Sequence, residues 1–434
     1  MNYCAIDFGT SNSAIAVAGE DGRMALVDVE AGQRTMPTAV FYLVEDRAAH
    51  QDPLRLYGRE ALATYIEGHE GRLMRSMKSI LGSSLAGQRT DVGSGHTVRY
   101  LDVVGDYLRH LKTLAERAAA RPLEHAVLGR PVFFVDDDPV RDAQAQAALE
   151  AAARETGFAE VSFQYEPIAA ALDYELSATR EELVLVADIG GGTSDFSVVR
   201  VGPERRQRLD RKHDILANHG VHIAGTDFDR QVELTAILPS CGFRGPGPQR
   251  PGLPAREVPS KVYFDLATWH LINTVYTAPR MHELRAMKSF FGDARQHVRL
   301  MKVVEEHLGH ALLAQAEAAK IAVAEGGTTA IDLGRIESGL RSQLDEPQAV
   351  DALEADLERI VRAAQDTLRA AGVKPGDVDV LYFTGGSTGF LPLVRRISAA
   401  LPAARAIHGD RHASVARGLG LHAQRLFDDL RLPT

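Results

Sequence analysis

Short apolar runs that end in polar, glycine-containing turns are the most regular pattern in the chain. Each unit of this pattern is an apolar run, a turn and a second apolar run, and the two copies lie at 3–6, 7–13 and 14–18, and at 183–187, 188–195 and 196–199. Short apolar runs bounded by turn residues are typical of buried strands, so each copy predicts a β-hairpin. The second turn begins 181 residues after the first (188 minus 7), which indicates a duplicated chain.

The similarity between the halves continues downstream of each hairpin. A strand is predicted at 126–134 in the first half and from 378 up to Gly385-Gly386-Ser387 in the second. Each strand is followed by a helix rich in small residues, at 166–172 and at 414–421. Small side chains at helical spacing let two helix backbones approach closely. The pattern therefore predicts an α/β fold of two similar lobes with a cleft between them.

Two stretches interrupt the duplicated pattern and predict inserted subdomains. Lobe I is predicted at 1–178, with its core at 1–38 and 105–178 and an insertion at 39–104. Lobe II is predicted at 179–434, with its core at 179–224 and 326–434 and a larger insertion at 225–325. A helix is expected at 101–120 in the first lobe, and helical amphipathic patterning runs from about 295 to 324 in the second.

The larger insertion contains its own loop and aromatic segment. Residues 241–260 hold five prolines and four glycines, which predicts a long surface loop. The segment 263–270 beside it carries Trp269, the only tryptophan of the chain. These aromatic side chains predict either a contact surface for a partner or the core of an enlarged subdomain.

Composition narrows the class of protein. With 434 residues, 45% hydrophobic and 25% charged, the chain is typical of globular proteins of two or three domains. The apolar runs are far shorter than the ~20 residues of a membrane-spanning helix, and the first residues do not resemble a signal peptide, so a cytoplasmic location is expected. Cys4 and Cys241 are read as ordinary thiols. A net charge of −9 argues against nucleic acid or a membrane as a partner.

The two hairpin turns carry the candidate chemistry. Gly9-Thr10 and Gly190 to Thr193 would present consecutive backbone N–H groups, which suits an anion such as phosphate. Asp7 and Asp188, which precede the turns, suit a magnesium ion held through its water shell. A single glycine-rich turn can also be a plain tight hairpin. Because the chain has no Walker A sequence and no dinucleotide fingerprint, the pattern favours two hairpins that close together on phosphates.

These motifs resemble those of a known family. The matching segments, in family order, are Asp7-Phe8-Gly9-Thr10, Glu166 to Ala171, Asp188 to Asp195 and Gly385-Gly386-Ser387, with further matches at Lys78 to Gly82, Gly225 to Asp229 and Glu317 to Lys320. Together they resemble the ATPase domain of the seventy-kilodalton heat-shock (DnaK-like) chaperones. The resemblance implies the duplicated actin-like (ribonuclease H-like) ATPase fold, with the nucleotide in the cleft between the lobes.

The resemblance also implies roles for individual residues. The catalytic group would be Lys78, Glu166, Thr193 and Asp195. The nucleotide would contact Gly9, Thr10, Ser11, Gly190, Gly191, Gly192, Thr193, Gly225, Glu317, Lys320, Gly385, Gly386 and Ser387. Asp7 and Asp188 would hold Mg²⁺ through water. Pro131 resembles the family's switch proline, although a proline that merely ends a strand fits as well. On the adenine side the family's basic residue is replaced by Gly389 or Phe390, and Ile321 and Ala324 follow Lys320 where the family has polar residues.

The implied function is that of a chaperone-like protein that binds Mg-ATP and hydrolyses it slowly as a conformational switch. ATP and protein clients or co-chaperones are the expected partners. The chain resembles the short YegD-type members of the family, in which no peptide-binding domain is expected. Two alternatives remain open at this point: a small-molecule kinase on the same fold, and a nucleotide-gated filament or scaffold protein.

Overall fold

A computed structural model provides the structure of the chain. It describes residues 2–19, 22–47, 51–83, 85–135, 138–206, 208–249, 252, 256–410 and 413–428. The strands in these ranges are β1 (Tyr3–Phe8), β2 (Asn12–Ala18), β3 (Met24–Leu26), β4 (Met36–Pro37), β5 (Ala39–Leu43), β6 (Leu54–Tyr57), β7 (Gly71–Arg75), β8 (Arg89–Gly93), β9 (His96–Arg99), β10 (His125–Arg130), β11 (Glu160–Tyr165), β12 (Glu182–Ile189), β13 (Ser194–Val201), β14 (Ile215–Val221), β15 (Thr328–Asp332), β16 (Arg341–Asp345), β17 (Val380–Thr384) and β18 (Arg405–His408).

The α-helices in the same ranges are α1 (Gly58–Glu67), α2 (Tyr100–Ala119), α3 (Pro139–Glu155), α4 (Glu166–Glu175), α5 (Gly225–Val232), α6 (Lys261–Leu266), α7 (Ile272–Val275), α8 (Ala278–Ala286), α9 (Ala294–Glu305), α10 (Gly309–Ala322), α11 (Glu346–Ala370), α12 (Leu391–Ala400) and α13 (Ser414–Asp428). Short 3₁₀ turns lie at Met77–Ile80, Lys212–Asp214, Leu238–Cys241, Met287–Phe290, Pro375–Asp377 and Gly386–Gly389, and one π-helical turn lies at Glu233–Ile237. The predicted helix at 101–120 is confirmed as α2.

Two sheets repeat one strand order. The first runs β11-β10-β1-β2-β3, with β4 also paired to β2, and the second runs β18-β17-β12-β13-β14. In each sheet an antiparallel hairpin, β1–β2 or β12–β13, is joined on its first strand by a parallel strand, β10 or β17. A second parallel strand, β11 or β18, follows on the outside. The duplication predicted from the two hairpin sequences is therefore confirmed.

Alternation along β1 separates two hydrophobic cores. Cys4, Ile6 and Phe8 point into a core that also takes side chains of α2 and α3. Tyr3 and Ala5 point to the opposite face, into a core shared with α4, α13 and strands of both sheets. Since successive side chains of a strand face opposite sides, one fully buried strand can supply both cores.

Helices α4 and α13 pack against each other without intervening side chains. A Cβ atom added to Gly418 of α13 would lie 1.8 Å from the carbonyl oxygen of Ala169 in α4. No residue but glycine fits at such a distance, so the backbones are in contact. The prediction that the small-residue helices of the two halves approach closely is confirmed.

Three predicted elements differ in the structure. The strand expected at 126–134 ends at Arg130, because Pro131 has no N–H group with which to continue the ladder. The patterning expected from 295 to 324 is divided into α9 and α10, where His307 has φ +52° and stacks on the Tyr276 ring at 4.2 Å. Phe243 in the expected surface loop is only 6% exposed, so the described part of that loop is anchored in a core.

The chain divides into two compact units. The first contains Met1–Gly220, Ala363–Gly386 and Ala400–Thr434, and hence both large sheets, while the second contains Val221–Arg362 and Ser387–Ala399. In the first unit, residues 39–104 form small sheets β6-β5-β7 and β8-β9. The division into lobes at residue 178 stays a prediction. Among the described residues, no helix is both long enough and apolar enough to cross a bilayer.

Candidate functional site

The first hairpin turn is shaped by a glycine and held by a threonine that lies between β4 and β5. A Cβ atom on Gly9 would lie 2.1 Å from the carbonyl oxygen of Asn12, so the turn closes only with glycine there. The Thr38 hydroxyl donates to the carbonyl oxygen of Gly9 at 2.8 Å. Asp7 lies near the end of β1, opposite Ala14 of β2. Asp7 therefore precedes a turn whose backbone is held by a hydrogen bond from Thr38, which lies outside the hairpin.

The second hairpin repeats this turn with an additional carboxylate. The N–H of Gly190 donates to the carbonyl oxygen of Thr193 at 2.9 Å, which closes the turn. Asp188 of β12 lies directly opposite Asp195 of β13. Like charges opposite one another on neighbouring strands destabilise a sheet, so this pair needs a cation nearby. A Cβ atom on Gly220 of β14 would lie 2.3 Å from Asp195 Oδ1, so the glycine leaves room for the carboxylate.

A third glycine turn packs against the second hairpin. Gly385 follows β17 with φ +87°. A Cβ atom there would lie 2.4 Å from the carbonyl oxygen of Ile189 and 2.7 Å from Asp188 Oδ1. Gly386 is exposed at the same turn, and Ser387 belongs to the second compact unit. A third turn that carries predicted site residues therefore lies beside Asp188 in the first compact unit.

Lys78 is brought to Glu166 across 88 positions of the chain. It lies on the 3₁₀ turn that follows β7, and Ser76 at the start of that turn has φ +52°. The Lys78 Nζ atom donates to Glu166 Oε1 at 2.5 Å, and the two side chains are 11% and 16% exposed. Glu166 is the first residue of α4, where the helix dipole favours a carboxylate. The structure therefore joins two of the predicted catalytic residues directly.

The electrostatics of this cluster show an excess of negative charge. Burial, with the charge of Glu166, raises the pKa of Asp7 from 3.8 to about 8. Burial, with the charges of Asp195 and Glu166, raises the pKa of Asp188 from 3.8 to about 7. Burial opposes the charged form of Lys78, but the neighbouring carboxylates outweigh it and raise the Lys78 pKa. One ammonium group therefore faces four carboxyl groups.

These carboxyl groups fit a hydrated magnesium ion. Raised pKa values among crowded carboxyl groups fall when a divalent cation supplies positive charge. Within the described ranges, no three histidine, cysteine, aspartate or glutamate side chains are arranged to coordinate a metal ion together. Magnesium commonly keeps several of its waters and takes only one or two protein carboxylates. The donor set is thus compatible with the predicted binding of Mg²⁺ through water by Asp7 and Asp188.

The predicted nucleoside-binding residues lie in the second compact unit. Lys320 on α10 is buried, and its Nζ atom lies 2.6 Å from Asp229 Oδ1 and 3.4 Å from the carbonyl oxygen of Gly225. Glu317, one turn earlier on α10, is exposed. Lys320 is therefore engaged by Asp229, and the ribose-binding role of this pair of residues stays a prediction.

Sequence reasoning missed Arg130, which links two parts of the site. Its guanidinium donates to the carbonyl oxygens of Pro131, at 3.0 Å, and Val132, at 3.1 Å, and to Asp142 Oδ2 at 2.9 Å. It also lies 5.1 Å from the ring centroid of Tyr165, the residue before Glu166. An arginine before a proline has no sequence signature of such a role. Its contacts fix the segment after β10 relative to the start of α4.

Comparison with known proteins assigns the family. The family model described as "Hsp70 protein" matches residues 3–234, more than half of the chain. The chain belongs to the Hsp70 family. This Hsp70 protein therefore has the actin-like ATPase fold that the motifs predicted.

Two curated relatives illustrate the similarity. The Hsp70 protein is 30% identical over 240 residues to "Chaperone protein dnaK" of Gracilaria tenuistipitata var. liui, which covers 52% of this chain and 36% of that protein. It is 27% identical over 415 residues to "Chaperone protein HscA homolog" of Azotobacter vinelandii, covering 91% of this chain and 53% of that protein. The chain thus spans between about a third and about half of the length of these relatives.

Proposed function

We propose that this Hsp70 protein binds Mg-ATP and hydrolyses it slowly, so that the bound nucleotide sets the conformation of the protein. The observation that carries the proposal is the Lys78–Glu166 pair, at 2.5 Å, within the electrostatic reach of Asp7 and Asp188. A buried ammonium group among carboxyl groups with raised pKa values is typical of a site that handles phosphate and a divalent cation.

Each residue of this cluster has a proposed task in the transfer of the γ-phosphoryl group to water. The backbone N–H groups around Gly9-Thr10 and those of Gly191 and Gly192 bind phosphate oxygens, while the N–H of Gly190 closes the second turn on Thr193. The hydroxyl groups of Thr10, Ser11 and Thr193 donate to the same oxygens. Gly385 and Gly386 supply a further close backbone approach. A magnesium ion, held through water by Asp7 and Asp188, would supply positive charge to the phosphate oxygens.

The catalytic tasks fall to groups that contact water and the reacting phosphate. Lys78 is a fixed cation that stabilises charge developing on the γ-phosphate, and Glu166 holds its ammonium group in place. Asp195 is exposed at the start of β13 and orients the attacking water together with Thr193. Since this work is positioning and electrostatic stabilisation, modest rates are expected.

The nucleoside is assigned to the second compact unit. Glu317 is exposed on α10, and its carboxylate can accept hydrogen bonds from ribose hydroxyls. Lys320, held by Asp229, contributes a positioned cation, and Gly225 and Ser387 offer backbone contacts. Phe390 is buried and packs on Phe228, with ring centroids 6.1 Å apart. If Phe390 stands where the resemblance places the family's adenine-stacking basic residue, an apolar side chain would replace that residue in this chain.

The cellular role proposed from family membership is that of a cytoplasmic, chaperone-like switch. Protein clients or co-chaperones would bind one nucleotide state in preference to the other. Cys4 and Cys241 are both buried as free thiols, which suits a reducing compartment. A pull-down that compares the ATP-bound with the ADP-bound protein would identify these partners.

Thermal denaturation with and without Mg-ATP tests the binding. A ligand at 100 times its dissociation constant stabilises the folded state by ~2.7 kcal/mol, which gives a clear shift in Tm. We expect the shift to need both ATP and magnesium, and Asp7→Asn to lose the dependence on magnesium. If neither a shift nor a heat of binding is observed, the proposal fails. Phosphate release measured with sugars and carboxylic acids present would reveal a kinase instead.

A further inference from the structure

A surface cavity of about 330 Å³ lies beside β6 and α2, in the first compact unit. Charged and aromatic side chains line it, among them Arg55, Tyr57, Asp106, Arg109, His110 and Arg117. Arg55 and Tyr57 are two positions apart on β6, so their side chains lie on the same face of that strand. The other four lie on one side of α2, since they are separated by three, four, seven or eight positions from at least one of the others. None of them belongs to the proposed nucleotide site.

The cavity carries net positive charge on a chain of net charge −9. Asp106 accepts from two guanidinium groups, Arg55 Nε at 2.8 Å and Arg109 NH1 at 2.7 Å. Arg117 is exposed and has no ion-pair partner among the residues that the structure describes. Three arginines against one aspartate leave two positive charges.

Two stacked aromatic rings form part of the wall. The rings of Tyr57 and His110 are parallel to within 10°, with centroids 4.0 Å apart. Burial, with the charge of Arg117, lowers the pKa of His110, so its imidazole is neutral at physiological pH. The wall therefore offers a flat, uncharged surface beside the guanidinium groups, and Leu114 adds an apolar side chain.

We propose that this cavity binds a small organic phosphate, a phosphomonoester with a flat or apolar body. The planar fork of a guanidinium matches two phosphate oxygens, which makes arginine a preferred phosphate ligand. The phosphate would pair with Arg109 and Arg117, and the body of the ligand would lie along Tyr57 and Leu114. A cavity of about 330 Å³ has room for such a body in addition to the phosphate group.

Calorimetric titration with phenyl phosphate, in the absence of magnesium and nucleotide, tests the proposal on the full chain. The wild type should bind, and the double variant Arg109→Gln, Arg117→Gln should bind at least about tenfold more weakly, because both charge-assisted contacts to the phosphate are lost. The matched control Arg34→Gln, whose side chain is 60% exposed outside the cavity, should bind like the wild type. Far-ultraviolet circular dichroism would show that all variants fold.

A second variant separates this cavity from the proposed nucleotide site. Lys78→Met should bind phenyl phosphate as the wild type does, even if the proposal for ATP is wrong. If Lys78→Met loses the binding while the arginine variant keeps it, the phosphate lies at the hairpin turns and the proposal is overturned. Absence of binding to the wild type at millimolar phenyl phosphate would overturn it equally.

Discussion

The substitution Asp188→Asn should stabilise the ligand-free protein, increasingly so as the pH rises. Asp188 lies opposite Asp195 and has its pKa raised from 3.8 to about 7, by burial and by the charges of Asp195 and Glu166. An acid with a higher pKa in the folded than in the unfolded state binds more protons when folded. The free energy of unfolding therefore falls as the pH rises from the unfolded value to the folded one. Replacing Asp188 by asparagine removes this pH-dependent fall in the free energy of unfolding.

The size of the effect follows from the pKa difference. About three pKa units correspond to a ceiling of about 4 kcal/mol, at 1.36 kcal/mol for each unit. The loss of stability falls between the unfolded pKa of 3.8 and the folded pKa of about 7, so a comparison between pH 5 and pH 8 samples only the part above pH 5. Solvent screening at the partly exposed Asp188 carboxyl group reduces the change in the free energy of unfolding further. We expect the advantage of the variant over the wild type to grow by about 1–2 kcal/mol across that interval. The charge of Asp188 also raises the pKa of Asp7, so its removal acts in the same direction.

Urea denaturation at pH 5, 6, 7 and 8, without magnesium or nucleotide, measures this difference. The control is Asp28→Asn, which removes an aspartate whose side chain is 66% exposed. Added magnesium should stabilise the wild type at pH 8 and should stabilise Asp188→Asn less. If the difference between variant and wild type is the same at all four pH values, the carboxyl cluster does not carry the charge described here.

Three further perturbations test other parts of the structure. Lys78→Met should retain Mg-ATP but hydrolyse it about 10²- to 10³-fold more slowly in single-turnover measurements, because one preorganised electrostatic donor is lost. An unchanged rate would remove Lys78 from the catalytic group. Deleting 243–256 should lower the free energy of unfolding by about 3 kcal/mol or more, since Phe243 is only 6% exposed. Unaltered urea stability would mean that this segment is not anchored. Gly418→Val should prevent soluble expression, because its Cβ atom would lie 1.8 Å from a carbonyl oxygen. Gly376→Ala, where a Cβ atom would meet nothing within 4 Å, should express normally.

Local patterns were sufficient to predict the repeated part of the fold. Short apolar runs and the turn residues between them mark β1–β2 and β12–β13, because a hairpin depends on neighbours in sequence. Small residues in α4 and α13 predicted their close contact, because small side chains at helical spacing can be read within each helix separately. The break between α9 and α10 was not predictable in this way. At the break, His307 stacks on Tyr276, a contact between positions far apart in the sequence.

The candidate site shows the same limit. Glycine and aspartate at the turns are readable because the turn chemistry requires those residue types. Lys78 and Glu166 pair across 88 positions. The resemblance placed both residues in one catalytic group but did not predict that they pair. The ion pair between Lys320 and Asp229 had no signal in the sequence. Helical spacing placed Lys320 and Glu317 on one face of α10, but Lys320 is buried and Glu317 is exposed. Partners that meet only through the fold cannot be read from spacing along one helix.

The cross-strand partners of the two hairpin aspartates differ, and this difference makes the two halves of the proposed site unequal in charge. Asp7 faces the methyl group of Ala14, whereas Asp188 faces the carboxylate of Asp195. Two hairpins alike in both backbone and charge would accept an unsymmetrical anion equally well in two opposite orientations. One additional carboxylate makes those orientations unequal in energy, and a difference of 1.4 kcal/mol already favours one of them about tenfold. In the proposed site, the duplicated backbone would thus supply matching donors, while the additional carboxylate would favour one orientation of a bound molecule over the other.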